Sequence, residues 1–193
     1  MSFLAAPESR AFDRFWVPSA CGKYRYVLRR RFLDRPSRPL RLCVWMNPST
    51  ADDKKDDATI KVALSSAWAW GDGGILVVNT MDLILTDSQK LPTNLWDAVG
   101  PDHWRHVYMA CEGQYGSVQR EAFCGWGDAC GPFTKDGPRA KPGATFKGDT
   151  PSFCMYLELM KKGIVPMTSG LTKLGNPKHP LRQKVGLPLV KFL

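Results

Sequence analysis

The chain has 193 residues, 44% of them hydrophobic and seven of them tryptophan, so its composition excludes a disordered polypeptide. Its net charge of +9 favours an anionic partner such as nucleic acid or a nucleotide. No apolar run approaches the roughly 20 residues of a membrane span, and the first residues lack the pattern of a signal peptide. We expect a single cytoplasmic domain over residues 1–193, with its cysteines as thiols.

The first half of the chain alternates strand-like and helix-like segments. Residues 23–32 and 42–46 are rich in β-branched, aromatic or other apolar residues and are predicted strands. Apolar residues then recur at helical spacing at Ile60, Ala63, Leu64, Ala67 and Trp68. This spacing predicts a helix, for which Asp56 is the favoured N-cap. Residues 75–78 are wholly apolar, as in a strand that is buried on both faces.

The second half continues the alternation. We predict a helix over residues 101–111, a strand over residues 121–125, a helix capped by Thr150, and a last strand over residues 164–167. Residues 127–150 are rich in glycine, proline and cations, and predict a long, mobile, basic loop.

Alternating strands and helices predict a three-layer α/β fold. We expect a four-stranded parallel sheet with helices on both faces, plus an N-terminal antiparallel strand. In such sheets, ligands bind outside the carboxyl ends of the strands. The strands exit here into residues 47–50, 79–82, 126–128 and 168–179, which are rich in polar side chains. We therefore expect these segments to face one cleft.

Two asparagines are the main candidates for binding. Asn47 and Asn79 each follow a strand, and a carboxamide suits the edge of a nucleobase, although asparagine is also a common turn residue. The other candidates in these exits are Ser49, Thr50, Trp126, Lys173, Lys178 and Arg182. Structural alternatives stay open: the hydroxyls cap a turn, the tryptophan belongs to the core rather than stacking on a base, and the cations are solvated.

One histidine and two aspartates are the candidates for catalysis. His179 lies in a basic loop between two prolines, so it is placed to stabilise developing negative charge or to donate a proton. Asp82 is a candidate general base, and Asp52 a candidate for orienting the attacking group. The alternative is that His179 only supports its loop.

A metal site is the weaker interpretation of the residues around position 103. His103, His106 and Cys111 have a spacing that can hold a metal, but no second close pair completes a tetrahedral set. We favour an amphipathic helix with two exposed histidines. No metal or other cofactor is expected.

Several motifs resemble an uncharacterised bacterial and phage family, domain-of-unknown-function family 1643. They are RYVLRRRF, MNPSTAD, DDATI, AWGDGGILVVN, VGPD, GWG and GLTKLGNPKHPL, and the resemblance extends over residues 22–190. The chain departs from the family at Arg182, where relatives have HPLY, and in the length of the loop 127–150. The resemblance implies a protein of bacteria or of phage-infected cells.

A more distant likeness is to the uracil-DNA glycosylase superfamily. Asn47–Pro48 is similar to its first active-site turn, which makes Pro48 a site residue. Residues 77–80 are similar to its strand that closes on a base-reading asparagine, and His179–Pro180 to its His-Pro loop that supports the leaving base. Leu181 replaces the serine that usually follows this loop. The likeness implies that fold and, by analogy only, chemistry at a glycosidic bond.

Together these features predict an enzyme that acts on a DNA base or a nucleotide. It would cleave or substitute at a pyrimidine base, including a modified one, as in the hypermodification of phage DNA. A flipped-out base would be read in the cleft, and the cations would hold phosphates. The alternatives are a non-catalytic nucleic-acid or nucleotide-binding protein on the same fold, and a basic surface that serves a protein partner.

Overall fold

The computed structural model describes residues 11–130, 133–134, 137–138 and 150–192. Its strands are β1 (Phe12–Pro18), β2 (Arg25–Phe32), β3 (Leu40–Trp45), β4 (Gly74–Asn79), β5 (Val118–Gly125), β6 (Phe133–Thr134), β7 (Gly137–Pro138), β8 (Val165–Thr168) and β9 (Val190–Lys191). Its helices are α1 (Ala58–Trp70), α2 (His103–Cys111) and α3 (Pro151–Lys161). The predicted mobile loop 127–150 lies largely outside the described residues.

Within the described parts of the chain, seven strands form one mixed sheet in the order β1-β2-β4-β3-β5-β8-β9. β4, β3, β5 and β8 are parallel neighbours. β2 is antiparallel to β4, as expected of the N-terminal strand. The expectation of an α/β fold is confirmed, but the four-stranded sheet with one added strand is corrected to a wider one. β1 and β9 were not predicted because β1 is only half-buried and β9 has two exposed residues.

Two clusters of buried side chains lie on opposite faces of this sheet. Successive residues of a strand point to opposite faces, and along β3 Leu42 and Val44 belong to one cluster while Cys43 and Trp45 belong to the other. α1 packs in the cluster of Cys43, and we call that side the α1 face. α2 and α3 pack in the cluster of Leu42, on the α2 face. Helices therefore cover both faces.

The loop before α1 corrects one prediction about capping. Asp57, not Asp56, caps α1, because its carboxylate accepts a hydrogen bond from the backbone N–H of Ile60 at 2.9 Å. Asp56 instead accepts hydrogen bonds from Arg14 at 2.9 Å and from Arg30 at 2.8 Å. The carboxylate of Asp56 therefore ties the loop to β1 and β2.

Most of the arginine-rich segment over residues 25–41 serves contacts inside the protein. Arg30 is fully buried on Asp56, and Arg41 is paired with the buried Asp72 at 2.9 Å. Arginines that donate to backbone carbonyls of the chain are Arg25, Arg29, Arg31 and Arg35. The charge of this segment therefore gives little support to a nucleic-acid surface.

The described cysteines and helices bear on two further expectations. Cys21, Cys43, Cys111 and Cys124 are free thiols. Burial raises the pKa of Cys111 to about 11 and raises the pKa of the core residues Cys43 and Cys124 further. Among the described helices, none is both long and apolar enough to cross a membrane.

Candidate functional site

The carboxyl ends of β4, β3 and β5 lie side by side at one edge of the sheet. Trp45 is the register partner of Asn79 on one side and of Gly125 on the other. The loop that leads into α1 and the segment that leads to α2 both leave from this edge. We call this edge the rim; its segments are residues 45–57, 79–82, 100–103, 125–127 and 178–182. The predicted polar strand exits therefore share one edge.

Asn79 is the least satisfied polar side chain at the rim. It is 1% exposed, and neither its Nδ2 nor its Oδ1 has a hydrogen-bond partner among the described residues. Its register with Trp45 places both residues on the α1 face, and the Trp45 Nε1–H likewise lacks a partner there. A buried polar group without a partner costs about 1–3 kcal/mol, so this pair is a candidate position for a ligand that would supply the missing bonds.

Asn47, the second predicted reader of a base, is engaged by its own chain. Its Nδ2 donates to the carbonyls of Leu85 at 2.8 Å and Pro48 at 3.0 Å. The carbonyl of the buried Pro48 also accepts the N–H of Leu85 at 2.9 Å. The Asn-Pro turn therefore fixes the segment that follows β4, and the amide donors of Asn47 are occupied.

A buried cation lies beneath the loop before α1. Arg25 is 3% exposed and donates through Nη1 to the carbonyl of Ala51 at 2.9 Å. Its Nε has no partner in the described part of the chain. Burial lowers the pKa of Arg25 to about 10 although the carboxylates of Asp57 and Asp52 oppose that shift. The guanidinium therefore adds positive charge to the rim.

The other predicted residues of this loop lie closer to the surface. The carboxylate of Asp52 accepts the N–H groups of Lys54 and Lys55, each at 2.8 Å. These hydrogen bonds lower the pKa of Asp52, which makes it a turn-forming residue and a weak base. Ser49 is half-buried and Thr50 is exposed, so their hydroxyls are placed where a phosphate has access.

Asp82 forms a buried pair with a histidine that the sequence had suggested to be exposed. The Oδ2 of Asp82 lies 2.8 Å from Nδ1 of His103, and both side chains are almost fully buried. The same oxygen accepts the N–H of Gly100 at 2.9 Å. His106 is half-buried, with Nδ1 on the hydroxyl of Tyr115 and its ring stacked on Tyr26. The expectation of two exposed histidines is therefore wrong.

The predicted His-Pro loop reaches the rim from the other side. A Cβ on Gly125 would lie 2.8 Å from Cδ of Pro180 and 3.0 Å from the carbonyl oxygen of Lys178, so only glycine lets this loop rest on β5. The half-buried His179 caps the turn by accepting the N–H of Leu181 at 3.4 Å. The turn also packs against α1. His179 therefore lies on the same edge and the same side of the sheet as Asn79.

Of the three predicted phosphate-binding cations, the structure describes the side chains of two. Lys173 and Lys178 are exposed, and the Lys178 side chain lies across Gly170, where a Cβ would be 3.6 Å from its Cδ. Both lysines stay candidates for phosphate contacts. The side chain of Arg182 lies outside the described part of the structure.

Trp126 has a structural position. It is 1% exposed, its Nε1 donates to Oδ1 of Asn176 at 3.3 Å, and its ring meets the edge of Phe192. Since the ring is enclosed by the core, it has no face on which a base could stack. The Asn176 amide in turn donates to the carboxylate of Asp128 at 2.9 Å. Trp126 and Asp128 therefore hold Asn176, which precedes the His-Pro loop by three residues.

Sequence reasoning did not find Trp45, Arg25 or His103 as site residues. Trp45 and Arg25 had the pattern of ordinary strand residues, and His103 was considered only as a metal ligand or an exposed helix residue. Buried polar atoms without described partners are what marks them in the structure. Among the residues that the structure describes, no three His, Cys, Asp or Glu side chains meet as in a metal site.

A comparison with protein families identifies a family for the chain. The model of a family described as Protein of unknown function (DUF1643) covers residues 25–181. This span contains all segments of the rim except residue 182. No curated protein and no solved structure matches the chain. The likeness to the uracil-DNA glycosylase superfamily therefore stays a prediction.

Proposed function

The chain belongs to the DUF1643 family, whose model spans nearly the whole rim, and we propose from the unpaired polar atoms of the rim that it is a nucleobase site. In this proposal the protein is an enzyme that cleaves or substitutes at a pyrimidine base of DNA or of a nucleotide.

The observation that carries the proposal is the buried, unpaired carboxamide of Asn79. Uracil and thymine present a carbonyl oxygen next to a ring N–H, and a carboxamide presents an N–H next to a carbonyl oxygen. The two edges complement each other through a pair of hydrogen bonds. The indole N–H of Trp45 supplies a further donor on the same face. A bound pyrimidine would thus satisfy groups that are unsatisfied in the described structure.

The remaining rim residues support the rest of such a substrate. His179 would stabilise negative charge that develops on the departing base. The half-buried Ser49 and the exposed Thr50, Lys173 and Lys178 would contact phosphates, which makes binding weaken as salt rises. Since Asn79 is 1% exposed, the segments that cover its side chain would have to move to admit a base. A base within a duplex must also be flipped out, at a cost of a few kcal/mol.

A binding protein without catalysis is the second candidate. The observation that favours it concerns the two carboxylates predicted to serve catalysis. Asp52 holds a turn and Asp82 holds His103, so neither is poised to act directly on a substrate. Turnover separates the two candidates, whereas binding is common to both.

The test compares the wild type with Asn79→Leu, which keeps the size of the side chain but removes both polar atoms. Gln114→Leu removes an exposed carboxamide after α2 and is the matched control. Binding and base release are measured on oligonucleotides that contain uracil, hydroxymethyluracil or thymine.

We expect Asn79→Leu to lose about 100-fold in affinity, as for two lost hydrogen bonds of about 1.5 kcal/mol each, and Gln114→Leu to lose nothing. Base release by the wild type supports the enzyme, and binding without release supports the second candidate. Equal affinity of Asn79→Leu and the wild type for every oligonucleotide contradicts the proposed site.

A further inference from the structure

The buried pair of Asp82 and His103 has the arrangement of a proton-accepting dyad. The carboxylate of Asp82 lies 2.8 Å from Nδ1 of His103 and also accepts the N–H of Gly100 at 2.9 Å. A carboxylate accepts and does not donate, so the neutral imidazole carries its proton on Nδ1. Its Nε2 then carries an unshared electron pair, and the hydrogen bond to Asp82 fixes the orientation of the ring.

The Nε2 of His103 has no partner among the described residues, although it is buried. His106, one turn further along α2, differs: its Nδ1 meets the hydroxyl of Tyr115 at 2.5 Å and its ring stacks on Tyr26 at 4.7 Å. A histidine that served only the fold would gain stability by using its second nitrogen. Leaving that nitrogen buried and unpaired is destabilising.

The dyad is held at the rim by the segment that follows β4. The N–H of Thr80 donates to the carbonyl of Trp45 at 2.7 Å, and the N–H of Met81 donates to that of Met46 at 2.9 Å. These bonds keep Asp82 three residues beyond Asn79, at the end of the sheet. α2 begins at His103 and belongs to the α2 face. Asn79 and His103 therefore flank the carboxyl edge from its two sides.

We propose that His103 is the proton acceptor of the rim and that Asp82 is its positioning residue. This inference rests on the proposed function and assigns the role of general base to His103, which the sequence suggested only as a metal ligand or an exposed helix residue. In the hydrolytic case, Nε2 takes a proton from water as the water oxygen bonds to the sugar carbon. The carbon–nitrogen bond breaks, its electron pair leaves with the base, and the proton passes from Nε2 to the base nitrogen.

The proposal fixes the direction of the pH dependence. A protonated Nε2 cannot accept a proton, so turnover falls toward acid pH. The charged and titratable groups around the dyad are Asp102, which precedes α2, Arg105 and His106 on α2, Tyr26 on β2, and Arg25, whose pKa is affected by the charge of Asp82. None of them is a hydrogen-bond partner of Nε2 within the described structure.

The test uses His103→Asn, whose side-chain amide N–H still reaches Asp82, with His106→Asn as the matched control. Turnover of a uracil-containing single-stranded oligonucleotide is measured between pH 5 and 9, and affinity is measured with deoxyuridine monophosphate. We expect His103→Asn to lose about 10²–10⁴-fold in turnover and to lose the fall toward acid pH, as for a missing general base. Affinity stays within about threefold, and His106→Asn keeps both the rate and its pH profile.

Asp82→Asn is a second variant, measured in case His103→Asn fails to fold. Its amide N–H donates to Nδ1, which places the ring proton on Nε2, and turnover is expected to fall by a similar factor. If His103→Asn or Asp82→Asn folds and retains turnover within about threefold while Asn79→Leu has none, the inference fails and the proposed function stands.

If no oligonucleotide is turned over, nitrogen NMR of the His103 imidazole tests the inference instead. Saturation with deoxyuridine monophosphate must then shift the Nε2 resonance of His103, and an unchanged resonance overturns the inference. If Asn79→Leu does not weaken binding, the proposed nucleobase site itself is contradicted, and this result is distinct from a failure of the inference about His103.

Discussion

Asn79, Trp45, Arg25 and His103 each hold a polar atom in the core without a described partner, and all four lie at one edge of the sheet. Such atoms lower the free energy of unfolding, because their hydration is lost and no protein group replaces it. Proteins commonly accept this cost where a ligand later supplies the bonds. At the scale of residues, we therefore expect the polar side chains that bind a ligand to lower the free energy of unfolding of the ligand-free protein.

Asn79→Leu is expected to raise the free energy of unfolding by about 1 kcal/mol, since an apolar side chain of similar size replaces an unpaired carboxamide in the core. Urea denaturation of the ligand-free protein measures the change. Gln114→Leu, at an exposed position, is expected to change stability by less than about 0.5 kcal/mol. A loss of about 1 kcal/mol or more in Asn79→Leu would show that the carboxamide already has partners.

At the scale of elements, local sequence patterns predicted most helices and strands. The helical spacing from Ile60 to Trp68 and the wholly apolar run at residues 75–78 correspond to α1 and β4. The cap of α1 was misassigned because Asp56 and Asp57 are adjacent and chemically identical. What separates them is Arg14, which comes from β1 and is remote along the chain. A contact between residues so far apart along the chain produces no pattern in the local sequence.

Asp56→Ala and Asp57→Ala are expected to differ in cost. Asp57→Ala removes an N-cap and lowers the free energy of unfolding by about 1 kcal/mol. Asp56→Ala leaves the fully buried Arg30 without its carboxylate and costs about 3–5 kcal/mol. Chemical denaturation of the two variants measures both values. Equal losses, or a larger loss in Asp57→Ala, would contradict the assigned roles.

At the scale of the whole molecule, the family match and the sheet do not coincide. The match covers residues 25–181, whereas β1 and β9 complete the sheet at its two edges from outside that range. The last segment is anchored by Phe192, which is 1% exposed and meets the edges of the Trp126 and Tyr156 rings. The terminal segments thus add core contacts to the family-matched part.

Phe192→Ala is expected to lower the free energy of unfolding by about 3–5 kcal/mol, because it opens a cavity beside Trp126. Val190→Ala is the matched control: Val190 is 55% exposed in β9, two residues before Phe192, so the expected loss is below about 0.5 kcal/mol. Thermal unfolding followed by tryptophan fluorescence compares them. A loss below about 1 kcal/mol in Phe192→Ala would show that the terminal segment is not part of the core.

The location of the rim could be predicted from sequence, because parallel strands send their carboxyl ends to one edge. Asn79, Asp82 and His179 were assigned to that edge for this reason, and the structure places them there. The hydrogen bonds of each side chain could not be predicted. The amide of Asn47 donates to the carbonyl of Leu85, the ring of Trp126 packs against Phe192, and His103 pairs with Asp82. Each contact joins segments that are distant along the chain and meet only in the fold.

The side-chain amide resonances of Asn79 and Asn47 offer the most direct measurement of the central claim. A titration with deoxyuridine monophosphate followed by proton–nitrogen NMR observes both carboxamides in one experiment. We predict that the Asn79 resonances shift and saturate with the nucleotide, while those of Asn47 stay close to their starting positions because its amide already binds Leu85 and Pro48. Unchanged Asn79 resonances at saturating nucleotide would contradict the account.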